Sequence, residues 1–158
     1  MAHKEITVTV NGVTSTRTVE PRTLLSDFLR HDLRLTGTHV GCEHGVCGSC
    51  TVLLDGAAVR ACLVLAAQVD GHTVETVESL ADEGRLCGAQ RAVMEEHGLQ
   101  CGFCTPGILM SMAAAERDEQ TADEVVSTVL QGHVCRCTGY LGLRAAIERH
   151  FREREAAR

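Results

Sequence analysis

The chain has 158 residues, which is enough for one ordinary domain or two small ones. Its 21 acidic and 15 basic residues give a formal net charge of −6, and only 3% of the residues are aromatic. This composition excludes the basic surface and the aromatic platforms that nucleic-acid binding uses. No apolar run is long enough to predict a membrane span, and the first residues lack the apolar core of a signal peptide. We therefore expect a cytoplasmic protein.

The first half of the chain predicts a small sheet and one helix. Asn11-Gly12 and Asp55-Gly56 are typical hairpin turns, each between two runs that are rich in apolar or β-branched residues. Thr23 is a candidate N-cap for a helix over residues 24–33, whose leucines and Phe28 share one face. The order of elements along the chain, two strands, a helix, a loop and two strands, resembles the β-grasp of ferredoxins. The predicted strands span residues 4–10, 13–19, 51–54, 57–60 and 72–76.

The second half of the chain, from about residue 78, has the periodicity of helices. Thr105 is a candidate helix cap followed by a first-turn proline, Pro106, and Thr121-Ala-Asp-Glu124 is a capping box. Four helices with short connections predict a small four-helix bundle, and residues 152–158 are expected to be a frayed helix end. The predicted fold is therefore α+β, with an N-terminal domain over residues 1–77 and a helical domain over residues 78–158.

Nine cysteines are the strongest chemical signal in the sequence. A secreted disulfide framework favours an even number of cysteines and a signal peptide. In a reducing compartment, clustered cysteines bind metals or carry out redox chemistry. Cys87 stands alone and is expected to be a small buried core residue on the apolar face of a helix. The other eight form two sets, Cys42, Cys47, Cys50 and Cys62 in the first, and Cys101, Cys104, Cys135 and Cys137 in the second.

The first set has the spacing of a plant-type [2Fe-2S] cluster, Cys-x4-Cys-x2-Cys followed by a more distant cysteine. The three glycines of its loop allow the chain to wrap a cluster and to turn N–H groups toward sulfur. A zinc site usually pairs two short Cys-x-x-Cys hairpins, and only one short pair is present. A Rieske centre would need a second histidine ligand where Cys50 stands. His44 is therefore expected to be a loop residue and not a ligand.

The second set consists of Cys101-Gly-Phe-Cys104, before a predicted helix, and Cys135-Arg-Cys137, between two predicted helices. The two pairs can meet only if the bundle brings two inter-helix loops together. The helix that starts at Thr105 would direct its N-terminal N–H groups toward the site and favour thiolate charge. Spacing alone leaves iron and zinc both open for this set.

The strings GCEHGVCGSCTVLLDG, VRACL, QCGFCTPG and CRCTGY occur in this order and resemble the small iron–sulfur subunit of the xanthine oxidase family of molybdenum hydroxylases. The resemblance extends from Ile6 to about Phe151. It implies two [2Fe-2S] clusters, one on each cysteine set. One departure is Gly132-His133, where the family commonly has Gly-Asn before its Cys-x-Cys; this change removes no ligand.

The resemblance also implies partners and a direction of electron flow. A large subunit would hold a molybdopterin cofactor and a medium subunit FAD, in a heterotrimer or a dimer of heterotrimers. The helical-domain cluster would lie nearest the molybdenum, and Gln100 and Cys137 would approach the pterin; for Gln100 the alternative is ordinary hydrogen bonding within its loop. The β-grasp cluster would lie nearer the FAD.

We therefore expect an electron-transfer subunit of an oxidoreductase, with no catalytic residue and no substrate site of its own. The sequence has no P-loop, no GxGxxG after a strand and no Ser/His/Asp set. Two alternatives are a free-standing two-cluster electron carrier and a zinc-stabilised interaction module. The substrate of the complex, whether an N-heteroaromatic ring, an aldehyde, an acyl-CoA thioester or carbon monoxide, is left open.

Overall fold

A computed structural model describes residues 3–158. Its first half forms five strands, β1 Lys4–Val10, β2 Val13–Val19, β3 Thr51–Leu54, β4 Ala57–Arg60 and β5 Thr73–Glu75. They form one mixed sheet with the strand order β2-β1-β5-β3-β4. β1 is antiparallel to β2 through the Asn11-Gly12 turn, and both turn residues have positive φ, as this tight hairpin requires. β5 is parallel to β1 and antiparallel to β3.

One short helix packs on this sheet. α1 spans Leu25–Asp27 and continues as a π-helical turn over Phe28–Asp32. The prediction that Thr23 caps it is wrong, because Leu24 occupies the N-cap position and no side chain caps the helix. The backbone before α1 is instead bonded to a neighbouring segment: Leu25 N–H donates to Val64 O over 2.7 Å, and Thr23 O accepts from Ala66 N–H over 2.8 Å.

The second half contains four helices, as the sequence predicts: α2 Gly88–Glu95, α3 Thr105–Arg117, α4 Ala122–Gln131 and α5 Leu141–Ala156. Their apolar faces form a core of their own around Ile108, Met112 and Ile147, each completely buried. The capping box at α4 is confirmed, because Thr121 N–H donates to Glu124 Oε2 over 2.8 Å and Thr121 Oγ1 accepts from Glu124 N–H. The fold is therefore α+β, a sheet domain followed by a helical domain.

Three local predictions in the helical domain are wrong. Thr105 is the first residue of α3 and not its cap, which is Cys104. Cys87 does not lie on a helix face; it precedes α2 and is only half-buried against the helical core. Residues 152–158 are not frayed, because α5 runs to Ala156 and Glu155 Oε1 accepts from Ala122 N–H over 2.9 Å.

The two domains pack directly against each other. Leu53 of β3 and Met110 of α3, both fully buried, form a small apolar cluster with Ala114. Arg117 of α3 forms a bidentate ion pair with Glu75 of β5, at 2.8 and 2.7 Å. The predicted domain boundary at residues 77–78 falls at the short 3-10 turn Val77–Ser79 and stays a prediction. Among residues 3–158, no helix has both the length and the apolar character that crossing a membrane would require.

Candidate iron–sulfur centres

The N-terminal cysteine set is assembled by one loop and one hairpin. Cys42, Cys47 and Cys50 lie in the irregular segment between α1 and β3, and Cys62 lies in the 3-10 turn after β4. The β3–β4 register pairs Thr51 with Arg60, and Ala61 N–H then donates to Cys50 O over 3.1 Å. Strand pairing therefore places Cys62 beside Cys50, although eleven residues separate them in sequence.

Backbone N–H groups of the same loop point at its first sulfur. Cys47 N–H donates to Cys42 Sγ over 3.4 Å, and the N–H groups of Cys47 and His44 lower the pKa of Cys42 to about 6. Burial has the opposite effect on Cys50 and raises its pKa to about 11. His44 is exposed, and its ring bonds to the carbonyl of Cys42, so it lies in the loop as predicted.

The helical cysteine set joins two inter-helix loops. Cys101 and Cys104 lie between α2 and α3, and Cys135 and Cys137 lie between α4 and α5. The Cys137 thiol donates to Cys101 Sγ over 3.4 Å, which raises the pKa of Cys137. Burial and a hydrogen bond with Cys135 raise the pKa of Cys104 to about 12. The bundle therefore brings together two cysteine pairs that the whole of α3 and α4 separates.

Neighbouring groups in these loops stabilise the thiolates. The N–H of Phe103 lowers the pKa of Cys101. Burial opposes ionisation of Cys135, but hydrogen bonds from the Thr138 hydroxyl, 3.0 Å from its sulfur, and from the Thr138 N–H outweigh burial and lower its pKa. Tyr140, the N-cap of α5, accepts from Cys135 N–H at its hydroxyl over 2.9 Å and donates to His133 O over 3.2 Å. The Cys135 loop is therefore held by side chains.

Each set consists of an outer and an inner pair of thiols. The outer pairs are the half-buried Cys42 and Cys47 and the exposed Cys101 and Cys137. The inner pairs are the buried Cys50 and Cys62 and the buried Cys104 and Cys135. Cys101 and Cys137 are hydrogen-bonded at 3.4 Å, and in the other three pairs the partner thiol contributes to the pKa shift of Cys42, Cys50 and Cys104.

This arrangement fits a [2Fe-2S] cluster in both places. Such a cluster takes four thiolates, two for each iron, and each set offers its sulfurs as two pairs beside N–H donors. Within residues 3–158, no three His, Cys, Asp or Glu side chains converge on a single point as they would around one ion. The buried hydroxyl of Thr105, which follows Cys104, has no hydrogen-bond partner within the same residues.

The two candidate centres meet at a seam formed by residues 132–134. Val134 N–H donates to Cys47 O over 3.0 Å, and Arg60 donates to Gly132 O over 2.6 Å. Between them, His133 is only 3% exposed. Sequence reasoning treats His133 as one of several scattered structural or solvated histidines; the only signal that could have singled it out is its replacement of the usual asparagine before Cys135.

Gln100, the predicted pterin neighbour, is exposed and directly precedes the exposed Cys101. Leu99 and Phe103 of the same loop and Leu141 at the start of α5 are exposed apolar residues. The Phe103 ring extends back toward the N-terminal loop, where it stacks on His39 with the ring centroids 4.8 Å apart. The exposed side of the helical set therefore combines two sulfurs, an amide side chain and apolar surface.

Comparison with known sequences agrees with this geometry in both domains. Residues 8–81 match the 2Fe-2S iron-sulfur cluster binding domain, and residues 76–148 match the [2Fe-2S] binding domain. The fold and the two cysteine sets thus define a protein with two [2Fe-2S] binding domains.

Individual relatives specify the family. The chain is 51% identical over 152 residues to caffeine dehydrogenase subunit gamma of Pseudomonas sp. (strain CBB1), covering 94% of this chain and 91% of that one. It is 56% identical over 137 residues to the beta subunit of the 6-hydroxypseudooxynicotine dehydrogenase complex of Paenarthrobacter nicotinovorans, covering 85% and 86%. Quinoline 2-oxidoreductase of Pseudomonas putida 86 contains a chain of similar structure, with a TM-score of 0.86 and 45% identity over 92% of this chain and 91% of that one. The chain belongs to the small [2Fe-2S] subunits of the molybdenum hydroxylases.

Proposed function

We propose that the eight paired cysteines are the ligands of two [2Fe-2S] clusters, and that the chain connects them electrically within a molybdenum hydroxylase complex. Cys42, Cys47, Cys50 and Cys62 would hold one cluster, and Cys101, Cys104, Cys135 and Cys137 the other. A bound [2Fe-2S] cluster accepts and releases one electron at a time. The pairing of the sulfurs within each set is the observation that supports this ligand assignment.

The residues between the two sets supply a short connection. Val134 directly precedes Cys135, and its N–H donates to the carbonyl of Cys47, so one hydrogen bond links a candidate ligand of one set to the neighbour of a candidate ligand of the other. The sulfur pairing carries the ligand assignment, and this bond carries the proposed connection between the two sites. His133, Gly48 and Thr51 beside this bond are buried, whereas the Val134 side chain is exposed.

We infer that electrons enter at the helical domain and leave at the sheet domain. Cys101 and Cys137 are both exposed, and the exposed Gln100, Leu99 and Phe103 lie close to Cys101 in sequence. This face suits docking to a large subunit with the molybdopterin at Gln100 and Cys137. The half-buried Cys42 and Cys47 would then face a medium subunit that binds FAD.

We propose an N-heteroaromatic compound as the substrate of the complex. The names of three similar proteins specify caffeine, nicotine and quinoline, all of which contain nitrogen heterocycles. Substrate choice would belong to the large subunit, and this chain contributes only the electron path. The complex would be a heterotrimer, alone or dimerised, and its cytoplasmic location stays a prediction.

The test is purification of the chain through an affinity tag from its own cells, followed by rapid mixing with quinoline, nicotine or caffeine. We expect molybdenum and flavin to co-purify. Cys104→Ser should leave molybdenum reducible by substrate but stop electrons before both clusters. Cys62→Ser should let electrons reach the helical-domain cluster and slow reduction of the flavin. Cys87→Ser is the matched control, because Cys87 belongs to neither set.

Two results would contradict this function. If the chain purified without molybdenum or flavin but with two clusters, it would be a free-standing carrier. If both Cys104→Ser and Cys62→Ser stalled at the same centre, the order of the two clusters would be wrong.

A further inference from the structure

His133 is a buried imidazole that contacts both domains. Its Nδ1 is 2.8 Å from Val129 O, and because a carbonyl only accepts hydrogen bonds, Nδ1 carries the proton. Its Nε2 is 3.4 Å from the hydroxyls of Thr51, in β3, and Ser111, in α3. Nδ1 therefore binds the ring to α4, and Nε2 lies between β3 of the sheet domain and α3.

The cysteine loop of the sheet domain packs directly on this ring. A Cβ atom at Gly48 would lie 2.4 Å from His133 Cδ2, and φ at Gly48 is +79°. On its other side, the carbonyl of Gly48 would lie 2.2 Å from a Cβ atom at Gly107 of α3. Gly48, which follows Cys47, therefore lies between the imidazole and α3. Neither Gly48 nor Gly107 has room for a side chain.

The residues on both sides of His133 bond to the sheet domain through the main chain. Gly132 O accepts from Arg60, and Val134 N–H donates to Cys47 O. The His133 carbonyl accepts from the Tyr140 hydroxyl. The imidazole is therefore the only side chain of residues 132–134 that is buried in the seam, and it lies between the two main-chain contacts.

We propose that His133 is a positioning residue that holds the Val134 N–H against the Cys47 carbonyl and thereby sets the electronic coupling between the two clusters. This inference rests on the proposed function for its consequence, electron transfer, but not for the contact itself. The ring acts through the backbone of the next residue and through Gly48. Loss of the ring removes the hydrogen bond to Val129 O and leaves a void beside Gly48. The loop that contains Cys47 and Gly48 then loses the contact that keeps it close to Val134.

The test uses the full chain, first with both clusters and then without iron, and four variants. His133→Ala removes the ring, His133→Leu fills the space without hydrogen bonds, and His133→Asn restores an N–H donor. His150→Asn is the matched control, because His150 is the other buried histidine among residues 3–158 but pairs with Glu116 inside the helical domain. Hydrogen exchange of the Val134 amide reports the contact. The magnetic interaction between the clusters in EPR of the dithionite-reduced chain reports the coupling.

We expect His133→Ala and His133→Leu to exchange the Val134 amide about tenfold faster, equal to about 1.4 kcal/mol, and to show a weaker magnetic interaction. His133→Asn should recover most of both properties. His150→Asn should lower thermal stability and change neither. If the Val134 amide of His133→Ala or His133→Leu exchanged at the same rate as in the unsubstituted chain, with or without iron, the proposal would be overturned. An unchanged magnetic interaction between the clusters would also overturn it. If the parent chain itself showed no two interacting clusters, the proposed function would fail, while the exchange rates would still decide the role of His133.

Discussion

The two cysteine sets reach the same paired arrangement by different routes. In the sheet domain, three cysteines lie within residues 42–50, and a single hairpin adds Cys62. In the helical domain, the two contributing loops are separated by α3 and α4 and meet only through the packing of the bundle. The first set is therefore organised by local chain geometry, and the second by tertiary structure.

The same difference extends to what holds each loop in place. Residues 37–50 contain no helix or strand, and N–H groups of this loop point at Cys42. The Cys135 loop is held by the side chains of Thr138 and Tyr140, and Cys104 and Cys135 belong to the helical core itself. A bound cluster should therefore organise the first loop, whereas the bundle organises the second without help.

Removal of iron should separate the two loops most strongly. Without a cluster, residues 37–50 have few internal hydrogen bonds to protect them, so their amides should exchange faster by on the order of 100-fold, or about 2.8 kcal/mol. The amides of α3 and α5 should change little, because the apolar packing around Ile108, Met112 and Ile147 holds these helices. Hydrogen exchange with mass spectrometry, before and after chelation, measures both. Equal loss of protection in the two regions would show that the bundle also depends on its cluster.

Substitution at the seam should disturb both domains at once. Gly107→Ala would bring a methyl group against the backbone oxygen of Gly48, and overpacking of about 1–3 kcal/mol exceeds the helix-propensity gain of about 1 kcal/mol. Gly142→Ala is the matched control, because its Cβ would meet the carbonyls of Glu96 and His97, both in the helical domain, at 2.6 and 2.7 Å. Urea unfolding should show both variants destabilised. Only Gly107→Ala should also weaken the magnetic interaction between the clusters, and the same weakening in Gly142→Ala would mean that the seam is not special.

Tyr140→Phe should affect the helical set alone. The change leaves the Cys135 N–H without its acceptor, and an unsatisfied buried donor costs about 1–3 kcal/mol. We expect lower thermal stability and faster loss of the helical-domain cluster to a chelator, with the N-terminal cluster unchanged. Iron release followed by EPR distinguishes the two signals. Equal loss of both clusters would show that Tyr140 stabilises the chain as a whole.

The ion pair between the domains should give the smallest effect. Arg117 lowers the pKa of Glu75, so the pair stabilises the fold above the unfolded pKa of about 4.3 and loses this contribution as the pH falls through the lower folded value. Both partners are partly exposed, which limits the expected contribution to about 0.2–1 kcal/mol. A double-mutant cycle with Glu75→Gln and Arg117→Gln, repeated at pH 7 and at successively lower pH values, measures it. A coupling energy that did not decline at all as the pH fell would contradict an ionic origin.

Sequence periodicity and turn chemistry were sufficient to predict which segments form strands and helices. The first four strands have the predicted bounds, and the capping box starts α4 where expected. The N-cap positions Leu24 and Cys104 could not be predicted, because contacts with other segments decide where each helix begins. Leu24 bridges to Leu65 before α1, and the cysteine loop leads directly into α3.

The candidate site was predictable in its residue types and spacing but not in its connection. Cysteine spacing and family resemblance identify two sets of four cysteines, but they do not predict the Val134–Cys47 hydrogen bond. That bond depends on how two separate cores pack, which no local pattern encodes. His133 was missed for the same reason, since a single histidine before Cys135 reveals neither its burial nor its partner Gly48. The ligand assignments, the role of Gln100 and the domain boundary remain predictions.

The most direct test of the account is EPR of the dithionite-reduced full chain, together with iron and zinc analysis. We predict two distinct [2Fe-2S] signals that interact magnetically, no bound zinc, and loss of a different signal in Cys62→Ser and in Cys104→Ser. Each variant should keep the other signal without the interaction. A single signal, zinc in either set, or loss of the same signal in both variants would contradict the assignment of two clusters joined through the seam at Val134 and Cys47.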